Sequence, residues 1–266
     1  MLTLLGAGQG QNGVAFDADY QAILTFATSN SIGLPTPAQQ VKQNQLVLGL
    51  KAGGIWTQLD VLYIFANNSG TQFATINWKN PNSNRTTVQG ALPFNINEGF
   101  VGSTSPNYLR TNFMPASNDS SNYKTNTAGR YAFLYTVTGT GAIDGVNGVA
   151  NNRMVVSGFS QNINNGTTSN LSSTFNTSRG MKSIQRFSAS EFRTYNGKMQ
   201  IATGTTASVP LSTYTAVQDI LRERTNSGLS TISVYAMGAN LATSSSQTIY
   251  DNFVDLITAY INNPQW

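Results

Sequence analysis

Apolar positions in this chain follow one spacing at both ends and another in the middle. Tyr20, Ile23, Leu24 and Ala27 lie at helical spacing after Asp19, a good N-cap, and Gly33 and Pro35 end that segment. Thr36 is placed to cap a second helix, with Pro37 in its first turn and Val41, Leu48, Ala52 and Ile55 as its apolar face. Gly53 and Gly54 stop it. Leu59–Ala66 is then a nearly continuous apolar run rich in β-branched and aromatic residues, the profile of a strand buried on both faces. Short strands are predicted over Ala74–Trp78, Gly99–Val101, Tyr108–Phe113, Arg130–Thr138, Arg153–Gly158, Gly180–Arg186, Glu191–Tyr195, Lys198–Thr203 and Thr231–Met237. Asn196-Gly197 between alternating apolar positions predicts a type I′ hairpin. Helical spacing returns over Thr243–Asn263, with a stripe of Ile249, Phe253, Leu256, Ile257, Tyr260 and Ile261 and a closing Pro264.

Many short strands separated by Asn, Gly, Ser and Pro clusters predict a mainly β fold, an antiparallel jelly-roll β-sandwich. The expected layout is a Gly-rich N-terminal arm over residues 1–19 and a single domain over 20–266. That domain comprises a helical pair (20–56), the sandwich (59–240) and a C-terminal helix (243–263). The polar loops Asn80–Asn84, Asn118–Thr127 and Gln161–Ser173 lie inside it and are the places where recognition could sit on a rigid scaffold.

Composition narrows the chemistry. Charged residues make up 10% of the 266, and Asn, Ser and Thr fill roughly a third of the chain, so neutral hydrogen-bonding groups are the expected surface. The net charge is +4 without any run of Lys or Arg, which argues against a nucleic-acid footprint. With no Cys and no His, disulfides, thiolate chemistry, a Ser-His-Asp triad and His-based metal sites are all excluded. The Leu2–Ala7 run is too short and lacks the positive flank for a signal peptide or a membrane span. Gly6-Ala7-Gly8-Gln9-Gly10 lacks the Lys-Ser/Thr of a phosphate loop.

Several stretches carry a family likeness. They are Tyr20-Gln21-Ala22-Ile23-Leu24, Gln39-Gln40-Val41-Lys42-Gln43-Asn44, Leu50-Lys51-Ala52-Gly53-Gly54-Ile55-Trp56, Ile76-Asn77-Trp78-Lys79, Asn97-Glu98-Gly99-Phe100-Val101-Gly102 and Tyr108-Leu109-Arg110-Thr111-Asn112-Phe113. Together they resemble the structural proteins of tailed bacteriophages with a laminin-G/concanavalin-A-like jelly roll, over roughly residues 16–262. These are packing and turn motifs and carry no chemistry. The resemblance implies a non-enzymatic virion component (fibre, spike or decoration protein). It would be a homo-oligomer held to other virion proteins through its arm and helices, and it would display a module for a host-surface glycan. A purely architectural role without a host ligand is the alternative, and a carbohydrate-active hydrolase a weaker one.

A hydrolase of this fold would need two carboxylates close together. The glutamates Glu98, Glu191 and Glu223 each stand alone among eleven acidic residues. Glu98 reads as a turn residue, Glu191 as exposed on a hairpin, and Glu223, beside Arg222 and Arg224, as a surface ion-pair partner. No cofactor is expected. Asp119 and Asp144 are weak candidates for calcium, in the oxygen-rich stretches Asn118-Asp119-Ser120 and Asp144-Gly145-Val146-Asn147, but Asx turns explain both without a metal. Trp56 and Trp78 read as core, and Trp266 as a terminal residue. Tyr123, Tyr131 and Tyr195, near loops or a hairpin, are the candidate exposed platforms for a sugar.

Overall fold

The computed structural model describes residues 15–263, except 105–106, 118–121, 139–140, 147–148, 157–160, 167–170, 172, 215, 224–225 and 244–245. Most of the predicted arm, the Gly6–Gly10 stretch, Asp119 and Trp266 therefore lie outside the described residues.

Two helices open the fold, α1 (Ala18–Ser29) and α2 (Pro37–Ala52). Asp17, not Asp19, caps α1, its carboxylate accepting from the Asp19 amide, which leaves Asp19 in the first turn. Thr36 caps α2 as expected, accepting from the Gln39 amide. The strands β1 (Leu59–Ile64), β2 (Thr87–Gln89), β3 (Phe94–Asn95), β4 (Gly99–Val101), β5 (Tyr108–Arg110), β6 (Ala128–Thr136), β7 (Ala142–Val146) and β8 (Val149–Val155) follow, with a single turn of helix, α3 (Thr71–Ala74), after β1. The second half adds β9 (Gly180–Ser188), β10 (Glu191–Asn196), β11 (Met199–Gly204), β12 (Gln218–Ile220), β13 (Arg222–Glu223), β14 (Asn226–Ser227), β15 (Thr231–Gly238) and α4 (Thr248–Asn262).

The strands form an eight-stranded sheet, β11-β10-β9-β6-β15-β4-β3 with β1 also on β15, and a five-stranded sheet, β2-β5-β12-β7-β8. Every pairing is antiparallel. This is the predicted sandwich of jelly-roll type, with an added layer. The three long helices cover the outer face of the larger sheet, so that sheet is buried on both sides. β1 shows why its sequence is apolar but for Asp60. Leu62 and Ile64 join the helix-side core, while Val61 and Tyr63 join the core between the sheets.

Four expectations need correction. Ala74–Trp78 is not a strand, because Asn67 accepts from the Ser69 and Gly70 amides and turns the chain into α3. Trp78 still donates to the Leu62 carbonyl, and Asn77 stands in for a backbone acceptor to the Leu62 amide. The buried face of α2 is rotated from the predicted one: Gln39, Gln43, Asn44, Leu46, Val47 and Leu50 are buried, and Leu48 is 47% exposed. Three neutral amides on the inward face hid it from a hydrophobicity pattern. In α4, Tyr250 and Val254 complete the buried stripe and Ile249 is exposed. The hairpin loop is Gly197-Lys198, since Asn196 pairs with Met199, and only Gly197 has a positive φ, the pattern of a type II′ turn.

Candidate functional site

Tyr123, Tyr131 and Tyr195 are fully buried and present no face to a ligand. Hydroxyl bonds hold two of them and ring packing the third. Tyr131 donates to the Ala239 carbonyl at 2.8 Å and packs edge-on against Phe253, and Tyr195 packs against Tyr250 under α4. Tyr123 donates to Asn164 Oδ1 at 2.9 Å, and burial pushes its phenol up to about 12, so it stays protonated. Asp144 is also no metal ligand. It lies between the sheets with Arg130 Nη1 at 2.7 Å and the Tyr235 hydroxyl at 2.6 Å on its two oxygens. Among the described residues no group of three or more acidic side chains could hold a metal ion. Trp56 and Trp78 are core, as expected.

The space between the sheets is organised by the segment 161–166, whose residues Gln161–Asn165 are fully buried. It exchanges backbone bonds with β8 through Asn162 and Arg153. Arg130 donates to the Asn162 carbonyl, and Arg186 to the Ile163 carbonyl and to Asn165 Oδ1. A buried backbone of this kind needs such partners for its polar groups, and two arginines supply them.

The same segment fixes the two walls of a surface cleft of about 420 Å³. The first wall is the turn Lys124–Thr127, closed by the Lys124 amide on the Thr127 carbonyl at 3.0 Å. Asn164 Nδ2 donates to the Lys124 and Thr125 carbonyls, and Asp60 on β1 accepts from the Asn122 and Tyr123 amides at 2.7 Å each. Burial raises the Asp60 carboxyl, and those amide bonds oppose the shift. The second wall is the 3₁₀ turn Leu211–Thr213, started by Pro210. It is tied down by the Val209 amide on the Asn164 carbonyl and by the Tyr214 hydroxyl on the Asn165 carbonyl, both at 3.0 Å. Ser208 Oγ joins the walls by donating to Asn126 Oδ1 at 2.6 Å.

The cleft sets Lys124, Thr125, Asn126 and Thr127 of the first wall opposite Pro210, Leu211 and Ser212 of the second, with Tyr123 at its floor. Among the described residues no acidic side chain lines it. Its size suits a small ligand, and its groups are fixed before a ligand arrives. The loop Asn118–Thr127 was among the three loops in which the sequence allowed recognition. Pro210–Ser212 was not, although Pro followed by Leu-Ser-Thr is a turn-starting signal. The other acids serve the structure: Asp219 pairs with Arg110, and Glu191 with Arg193 rather than standing exposed. Glu98 lies in the β3–β4 turn, as expected.

No protein-family model matches the chain, and no curated protein matches it in sequence. Solved structures that resemble it do so distantly. Domain 4 of AbnA, a GH43 extracellular arabinanase from Geobacillus stearothermophilus solved with arabinotriose, is 10% identical over 75% of this chain and 98% of that domain, with a TM-score of 0.44. A Trypanosoma rangeli sialidase is 10% identical over 81% of this chain and 39% of its own, at 0.46. The botulinum neurotoxin serotype D binding domain is 7% identical over 75% and 53%, at 0.48. The chain thus spans about half or less of the latter two proteins. At these scores the likenesses carry no function to this chain, and its fold class is read from its own two sheets.

Proposed function

We propose that this chain is a non-enzymatic saccharide-binding module, carried on a bacteriophage virion as a homo-oligomer and directed at a neutral glycan of the host surface. The observation that carries the binding role is the cleft between Lys124–Thr127 and Pro210–Ser212. A pyranose has an apolar C–H face and a rim of hydroxyls. The cleft offers Pro210 and Leu211 as an apolar surface opposite Thr125, Asn126 and Thr127, with Lys124 as its one cation among the described residues, and hydrogen bonds from a buried segment hold it. The non-enzymatic part is supported by the lining of this cleft, in which no described residue is acidic. The virion setting rests on the sequence resemblance and on the low charge content.

The test is binding of the purified chain to intact host cells and to their isolated surface polysaccharide, with and without calcium. Saturable binding is expected, independent of calcium. Asn126→Ala and Thr125→Val should each weaken it about 5-fold, the worth of one neutral hydrogen bond. No binding by the folded protein would reject the reading. A second, purely architectural reading is favoured by one feature: β11 is a free sheet edge without charge or proline, and its Met199 is 63% exposed. Loss of self-association when Ile201→Lys is placed on that edge, with no saccharide bound by the parent, would select it.

A further inference from the structure

A second cleft, of about 460 Å³, shares no residue with the first. It lies where the β3–β4 turn, the end of β6, the start of β9 and the last turn of α4 meet. Arg179 is its distinctive group. The guanidinium lies 3.9 Å from the ring centroid of Tyr135 and donates to the Ile261 carbonyl at 3.2 Å. The second contact caps a carbonyl in the last turn of α4, an adequate structural role for one N–H. It leaves the rest of a five-donor fork, held in place from two sides, with no carboxylate paired to it among the described residues. Arg110, Arg130, Arg193 and Arg222 each reach an acidic partner, whereas Arg85 and Arg186, like Arg179, bond neutral oxygens.

Glu98 lines the same cleft. It accepts from Asn95 Nδ2 at 2.8 Å and makes no ion pair with Arg179. Its position is fixed by the αL conformation of Asn97 (φ 64°) and by Ser233 Oγ on its own carbonyl. A cation and an anion therefore face one space without closing on each other. Ile96 adds an apolar surface at the rim, 53% exposed, and Asn262 an amide.

We infer that this cleft binds a saccharide bearing a carboxylate, with the carboxylate on the Arg179 fork, sugar hydroxyls donating to Glu98, and the C–H face against Ile96. A planar fork matches a carboxylate in two hydrogen bonds, and a carboxylate side chain accepts from hydroxyls without needing to titrate. The inference does not rest on the neutral-saccharide cleft.

Calorimetry with trigalacturonate and with its methyl ester tests it, because the ester keeps the sugar rings and hydroxyls and replaces each carboxylate by a neutral, methylated group. The acid should bind at least 10-fold more tightly than the ester. Arg179→Gln should reduce the acid to the level of the ester, and Asn126→Ala in the first cleft should leave it unchanged. Ile96→Asp, at a position 53% exposed, should weaken the acid selectively and covers the case in which Arg179→Gln does not fold. Equal binding of acid and ester, no binding of the acid at millimolar concentration, insensitivity to both Arg179→Gln and Ile96→Asp, or loss of the acid in Asn126→Ala would each overturn the assignment.

Discussion

The two faces of the eight-stranded sheet are buried by different means. On the helix side, α1, α2 and α4 seal it with Ile23, Leu24, Val47, Leu50, Phe253 and Ile257, and the few polar groups there are neutral. Gln43 is the clearest case: it accepts from the Tyr20 hydroxyl at 2.7 Å and donates to the Tyr260 hydroxyl at 3.1 Å. On the other side, the five-stranded sheet encloses an aromatic core together with Arg130, Asp144 and Arg186, all fully buried. The helix side is held mainly by removal of apolar surface from water. The inner side also holds charges that must stay paired, and its polar groups position the segment that builds the candidate cleft. One sheet thus has a stabilising face and a face that organises a site.

Removing one charge should separate the two faces most sharply. Arg130→Ala strands the Asp144 carboxylate between the sheets and should cost about 3–5 kcal/mol in chemical denaturation. The combined Arg130→Met, Asp144→Leu, Tyr235→Phe variant should recover most of that loss, because no charge or hydroxyl is then left unpaired. If Arg130→Ala is as stable as the parent, the inner face is not held by its charges. On the helix side, Ile257→Ala should cost about 3 kcal/mol through a cavity, and a second polar change should not rescue it.

Smaller effects test Lys79 and Lys182. Burial holds Lys79, whose ammonium lies 4.0 Å from the Trp56 ring centroid, down to about 8, and it does the same to Lys182. In the unfolded chain both keep their protons until about 10.4. Between pH 8 and about 9.5 the unfolded state therefore binds more protons, and stability should rise with pH before unfolded tyrosines ionise. Denaturant midpoints measured across that range check it, and Lys79→Met should flatten the slope; a fall in stability would contradict the burial of these amines. The smallest effect belongs to the Lys198–Asp255 pair between the hairpin and α4, whose side chains are 46% and 62% exposed. Lys198→Ala should change stability by at most about 0.5 kcal/mol, and high salt should erase the difference.

Much of the architecture was legible because its period is local. β1, β6, β9 and β15 follow apolar runs closely, and Thr36-Pro37 and Gly53 mark the ends of α2. The short strands β2, β3, β7 and β12 were not, since two to five residues carry too little pattern to stand out from the loops around them. Of the first cleft, the loop Asn118–Thr127 could be nominated, but the tyrosine expected to face a ligand is its buried floor. The second cleft was invisible, because Glu98, Tyr135, Arg179 and Asn262 come from four distant parts of the chain.

By itself, the sequence determined the class of the fold and the chemistry it forgoes. Hydrophobic period and turn residues act within a few positions, and the absence of Cys and His holds in any conformation. The tertiary structure alone decided which aromatics are exposed, which charges are paired and which loops share a cleft. Those outcomes depend on which segments bury one another, and burial sets both the cost of leaving a polar group unpaired and the partner that satisfies it.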